Sequence, residues 1–309
     1  MEAPELSRTF YVFRYTIVEE SQAQLYSVPL PVPKGKAAVK ALGVNGPDKY
    51  FLKNGVNYSF VGFKWARPTD DFDFPADRFI IGKLAKKRLT ETGTHIPGDI
   101  VMSPQEDWIG LITIFDTDSQ HIIIEKNWKF GNPEQTETAL QTGLSREIFD
   151  TYNCSVFVKG RTKEHLFWNL VKESAEIYSL ELKLISPNIL DANKKARKAL
   201  EDLKNIFMQD EIEIALRNEA GKLIVPEAPV ADYINYISEG EGSWKLTSKK
   251  RDGRKKTFSS FQNIDTLELP IPEPSKPFAV EAESGEIPKK DILRLVSTTF
   301  HALEKYSEG

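Results

Sequence analysis

Cysteine is almost missing: Cys154 stands alone among 309 residues. A lone thiol excludes an intramolecular disulfide and any cysteine-based zinc cluster, and it fits a reducing compartment. Long apolar runs are missing too. Those present, such as Phe79–Ile81 and Ile122–Ile124, are strand-sized, far short of the ~20 residues that span a bilayer, so no membrane insertion is expected. Nor is there an excess of positive charge. With 41 Lys and Arg against 45 Asp and Glu, the formal charge is −4, which excludes a globally basic nucleic-acid protein but not a local basic patch. Met1–Arg8 carries Glu2 and Glu5 where a signal peptide needs positive charge and then an apolar stretch. The expectation is a cytoplasmic globular protein. Its 40% apolar content excludes global disorder.

Catalytic signatures are equally scarce. No GxGxxG, GxxxxGK[ST] or nucleophile elbow occurs, and Gly35-Lys36 lacks the upstream glycine of a phosphate loop. His95, His121, His165 and His301 lie far apart and form no HxH or HxxxH pair. Asp70, Asp71, Asp73 and Asp77 lack the ordered ligands and glycine of a calcium loop. Cys154 has no histidine near it to activate a thiolate. One strand, with Glu181-Leu182-Lys183, has the Glu-x-Lys arrangement by which restriction-type nucleases hold a metal and a water, but Glu164, Glu173 and Glu176 upstream fall in an expected helix. The ordinary alternative for Glu181 and Lys183 is the wet face of a strand. No catalytic residue, metal ligand or cofactor is therefore named.

What the chain does have is periodicity. In residues 9–130, alternating or apolar runs at Phe10–Val18, Val56–Trp65, Arg78–Leu89, Ile109–Phe115 and His121–Trp128 predict an antiparallel sheet. Asp116-Thr117-Asp118-Ser119 is a hairpin-length turn. Asn132-Pro133 opens a helix carrying Leu140, Leu144 and Ile148 at i, i+4 and i+8, and a boundary is expected near 150. A β-α-β-α-β unit follows: strands at Cys154–Gly160, Tyr178–Ser186 and Glu211–Arg217, helices at Glu164–Ile177 and Ile189–Met208. Val230–Ser238 reads as a short helix. Pro270, Pro272, Pro274, Pro277 and Pro288 mark 268–288 as an extended arm, and Asp291–Tyr306 as a closing amphipathic helix. The predicted fold is α+β, divided as 1–150, 151–267 and 268–309. That last helix must bury its stripe on its own core or on a second subunit, which points to a homodimer.

One stretch is chemically distinctive. Lys245, Lys249, Lys250, Arg251, Arg254, Lys255 and Lys256, with Asp252 among them, put a net +6 into twelve residues. Asp252-Gly253 between two strand-like runs reads as a type I′ turn, whose two central residues need positive φ. A ribbon charged at its tip has the size and sign to enter a DNA groove or lie along phosphates. These seven residues are the candidate DNA-binding set, and the alternative is a solvated hairpin whose lysines guard an edge. Two smaller clusters, Lys83, Lys86, Lys87 and Arg88, and Lys194, Lys195, Arg197 and Lys198, lie elsewhere. No helix-turn-helix or zinc-finger signature points to base recognition.

The second half also carries a resemblance. Phe157-Val158-Lys159-Gly160-Arg161-Thr162, then a helix, an apolar strand, a lysine-rich helix and Ile214-Ala215-Leu216-Arg217-Asn218-Glu219-Ala220-Gly221-Lys222-Leu223, together with the opening Phe10-Tyr11-Val12, resemble the RexA family of lambdoid phage-exclusion proteins. The resemblance covers some 60 to 70 residues of the second half. It implies a homodimer that binds double-stranded DNA without sequence preference and senses phage infection with an effector protein partner. It assigns no DNA-contact residue, so the seven named above rest on charge alone. A metal-dependent nuclease and a protein-interaction subunit without nucleic-acid contact remain the alternatives.

Overall fold

The computed structural model describes residues 7–20, 28–185, 202–203, 206–207, 209–271 and 289–307. In chain order the first elements are β1 (Ser7–Glu19), α1 (Ala38–Leu42), β2 (Lys49–Lys53), β3 (Val56–Trp65), β4 (Phe79–Ile96), β5 (Asp99–Asp116), β6 (His121–Glu125) and α2 (Pro133–Tyr152). There follow β7 (Cys154–Gly160), α3 (Glu164–Glu173), β8 (Glu176–Ile185), β9 (Glu211–Arg217) and α4 (Glu227–Ser238). The chain closes with β10 (Gly242–Lys249), β11 (Lys256–Ser259), β12 (Thr266–Pro270) and α5 (Lys289–Ser307). The fold is α+β, with a strand-rich N-terminal region and a C-terminal helix. The predicted helix at 189–208 lies almost wholly outside the described residues.

The larger sheet has the strand order β12-β1-β6-β5-β4-β3-β2, with β7 also on β1. Its pairings are all antiparallel, and short connections account for this between consecutive strands from β2 to β6. β1 is its spine, paired with β12 through Ser7–Tyr11 and with β7 through Phe13–Glu19. The sheet thus draws strands from beyond residue 150. Thr266–Pro270 is one of them, so the predicted extended arm begins as a strand instead, and its Pro272–Pro288 portion lies outside the described residues.

Helices α1 and α2 cover one face of this sheet. The Asn132 side chain caps α2 by accepting the Gln135 N–H at 2.8 Å, Pro133 starts it, and Asn153 ends it at φ 53°. Between those ends Ala139, Leu140, Leu144 and Ile148 are wholly buried against Phe13, Tyr15 and Phe60. On the other face α5 buries Leu295, Val296 and Leu303 against Phe10, Phe79, Ile81 and Ile114, each worth about 1.5–3 kcal/mol of transfer free energy. The last helix therefore satisfies its apolar stripe within its own chain, so that stripe does not call for a second subunit.

A four-stranded sheet of order β11-β10-β8-β9 forms the second lobe. Its inner face buries Leu180, Leu182, Leu184, Trp244 and Leu246 under α3 and α4, with Phe167 edge-on to Trp244 at 5.2 Å. Strand β7 is not its neighbour, so the strands of the predicted β-α-β-α-β unit are divided between two sheets. A buried ion pair, Arg14 to Glu241 at 3.1 Å, and a Thr162 N–H bond to the Ser238 carbonyl join the lobes. Among the described residues no helix is long and apolar enough to cross a membrane.

Candidate nucleic-acid interface

The basic ribbon is a hairpin rooted in the second core. In β10 the residues alternate, so that Trp244, Leu246 and Ser248 are buried while Lys245 faces outward. β11 is short and pairs Ser259, Phe258, Thr257 and Lys256 with Lys245, Leu246, Thr247 and Ser248. The turn differs from the expected one. Neither Asp252 nor Gly253 has positive φ, so this is not a two-residue type I′ connection. Pairing stops at Ser248 and Lys256, and the Gly253 N–H closes a turn onto the Lys250 carbonyl at 3.0 Å. The extra loop length relieves the demand for positive φ, while Lys249 ends β10 directly opposite Glu176 on β8.

Those neighbours reduce the charge. Lys249 pairs with Glu176 at 2.9 Å, and Lys250 pairs with Glu173. The hydrogen bond from Lys249 holds the Glu176 carboxyl below its usual range, and Glu176 in turn raises Lys249. Lys255 sits over the Tyr178 ring at 4.2 Å, a cation–π contact that fixes one side of the loop. Arg251, Arg254 and Lys256 are exposed and, among the described residues, make no ion pair. Counting Asp252, Glu173 and Glu176 against the six cations of 249–256 leaves +3 at the tip. Lys245 stands apart on the sheet's outer face, in register with Glu181. The seven predicted residues thus divide into a four-residue tip (Arg251, Arg254, Lys255, Lys256), two ion-paired lysines and one distant lysine. Glu173, Glu176 and Tyr178 were missed as members of the site, because partners more than seventy positions away leave no local signal.

The outer face of the second sheet carries both signs. Arg217 bonds Glu181 at 3.3 Å, and Lys183 lies 3.6 Å from Glu211 and 3.5 Å from Glu213. Glu211 raises the Lys183 pKa most, then Glu213. An acidic strand does therefore lie beside the Glu-x-Lys strand, but the lysine ammonium occupies the space between its carboxylates. Among the described residues no three His, Cys, Asp or Glu side chains converge as metal ligands.

The smaller cationic cluster is used structurally. Lys86 donates to the Phe130 carbonyl at 2.6 Å, Arg88 to the Lys129 carbonyl at 3.3 Å, and Lys87 pairs with Glu106 at 2.6 Å. Lys194, Lys195, Arg197 and Lys198 lie outside the described residues.

Two other places have chemistry-bearing groups. Arg78 clamps buried Asp116 at 2.7 and 2.9 Å, Ser119 Oγ donates to Asp116 Oδ2 at 2.6 Å, and His121 Nδ1 lies 2.7 Å from the same Oγ. The hydroxyl has one proton and spends it on Asp116, so Nδ1 is the donor and Nε2 accepts from Arg161 at 3.1 Å. Burial first, then Arg161, Arg14 and Arg78, push the His121 pKa well below its usual value. A neutral histidine that gives its proton to a serine does not activate it, so this chain of groups is not a hydrolase triad. An open cleft of about 660 Å³ beside α2 is lined by Thr142, Ser145, Arg146, Cys154 and Val156. Its Thr142 and Ser145 hydroxyls are bound to helix carbonyls at 2.7 and 2.6 Å.

No protein family, curated protein or solved structure matches this chain.

Proposed function

We propose that the chain is a non-sequence-specific double-stranded-DNA-binding protein that uses the tip of the β10–β11 hairpin, through Arg251, Arg254, Lys255 and Lys256, to contact phosphates. One observation carries this reading: a short, rigidly rooted ribbon that keeps a net +3 at its tip in a chain of net charge −4. The root is rigid because Trp244 and Leu246 are buried. The tip presents guanidinium and ammonium groups without the pocket or interleaved aromatic platform that base reading or single-strand stacking needs. The resemblance to the RexA family supplies the biological setting: a cytoplasmic homodimer acting in prokaryotic phage defence with an effector partner. Two hairpins per dimer would double the phosphate contacts.

Fluorescence anisotropy with two unrelated duplexes at low salt tests the reading. Equal affinity for both is expected, and no binding to either would reject it. The pairing of Lys249 and Lys250 with acids favours a second reading, a protein-interaction subunit without nucleic-acid contact, which that negative result would select.

A further inference from the structure

The turn that joins α3 to β8 is built against the base of the basic loop. Its Ala175 N–H donates to the Lys249 carbonyl at 2.9 Å, and the Ser174 and Ser248 hydroxyls lie 2.7 Å apart. These bonds fix the end of β10 without any help from charge. Glu173 ends α3 and Glu176 opens β8, so the same turn carries both acids. The pairing of β8 with β10 slips by one residue between Thr247 and Ser248. Had the register run on unbroken from Thr247 opposite Ser179, Lys249 would face Ile177; the slip sets it opposite Glu176 instead. A bulge re-aims side chains, and this one builds an ion pair.

Glu176 uses both carboxylate oxygens. Oε1 accepts from Lys249 Nζ at 2.9 Å, and Oε2 accepts from the hydroxyl of Tyr178, whose ring lies under Lys255. Lys250 pairs with Glu173. Both pairs are open to water, with side-chain exposures between 36 and 56%, and pairs this exposed add little to stability. Their effect falls on the hairpin's charge. Duplex DNA presents one phosphate charge every ~1.7 Å, but a lysine that turned to it would leave a bare carboxylate beside the duplex, where like charges repel. We infer that Glu173 and Glu176 hold Lys249 and Lys250 away from duplex phosphates, and so keep the hairpin's affinity below what its six cations could give. This restraint rests on the duplex contact proposed above and adds its regulation: whatever neutralises the two acids adds two phosphate contacts.

The test is anisotropy of labelled duplex DNA across a salt series, with the full chain in three forms: natural, Glu173→Gln/Glu176→Gln, and that double variant with Lys249→Ala/Lys250→Ala added. Glutamine keeps the shape of each acid, and the Ala175 and Ser174 bonds keep the turn in place, so circular dichroism should not change. The double Gln variant should bind at least about tenfold more tightly at about 0.1 M salt, with a slope of log K against log salt steeper by about 1.8, the worth of two contacts. Glu173→Gln alone, which leaves the β8–β10 pairing untouched, should give half that change, about 0.9. Adding the two alanines should return the slope to its natural value, because the gain runs through the lysines. A gain that survives the alanines comes from lost negative charge alone and overturns the restraint. So does a folded Gln variant with the natural affinity and slope, and both results leave the duplex contact standing. Binding by the Gln variant where the natural chain does not bind supports the restraint; binding by neither overturns it together with the duplex contact.

Discussion

Glu137 makes a pH-dependent prediction that can be worked from its surroundings. It lies on α2 with 1% exposure, accepting Lys159 Nζ at 3.0 Å and the Gly160 N–H at 3.2 Å. Burial raises its pKa from 4.5 to about 7, against the opposing pull of Lys159 and the Gly160 N–H. Because the folded value is the higher one, the folded state holds the proton more tightly. The stability this confers is fully present below about pH 4.5 and is lost as pH rises through about 7. A shift of that size corresponds to about 3 kcal/mol; between pH 5 and pH 8 the loss is about 2.5 kcal/mol. Glu137→Gln preserves shape and an acceptor for Gly160 but does not titrate. It also leaves Lys159 without its carboxylate, so the comparison lies in how the difference between the two proteins changes with pH rather than in its offset. Urea unfolding of both proteins at pH 5, 6, 7 and 8 should show the variant gaining about 2.5 kcal/mol relative to the natural chain across the series. A difference that does not change with pH would refute the reasoning.

Two further perturbations address packing. Arg78→Ala leaves the fully buried Asp116 carboxylate without its clamp and frees Glu304 on α5, so a loss of about 3–5 kcal/mol and faster proteolysis of α5 are expected in thermal unfolding and limited digestion. Gly82→Ala places a methyl 2.5–2.8 Å from the Phe63 ring, which the positive φ of Gly62 swings over β4; overpacking of about 1–3 kcal/mol should outweigh the ~0.5–1 kcal/mol that replacing a glycine usually gains, as a lowered melting temperature would show.

Local pattern was a good guide where one face of an element is buried. Val56–Trp65 is a strand over its whole predicted length, and α2 begins at the Asn132-Pro133 cap that the sequence displays. The ribbon Thr90–Asp107 was illegible because it contains Thr, Gly, Ser and Pro with little alternation; mutual pairing holds it extended, and no core selects its residues. α1 was hidden among glycines and prolines. Sheet membership was illegible for a different reason: β7 and β12 look like any strands, and their shared partner β1 lies more than a hundred positions away. The candidate site shows the same division. Seven cations and a turn could be read directly, but the acids that neutralise two of those cations belong to α3 and β8 and come close only through the β8–β10 pairing. That long-range pairing removes two of the expected six positive charges, and the distance of Lys245 from the tip removes a third, which leaves +3.

The salt dependence of duplex binding tests the central claim most directly. Each phosphate neutralised on B-DNA contributes about −0.9 to the slope of log K against log salt, so Arg251, Arg254, Lys255 and Lys256 together predict about −3.6 per hairpin. Replacing all four with Ala, at an exposed tip where surface changes cost under about 0.5 kcal/mol of stability, should weaken binding to every sequence alike and remove most of that slope. A folded quadruple variant with the natural affinity and the natural slope would contradict the account.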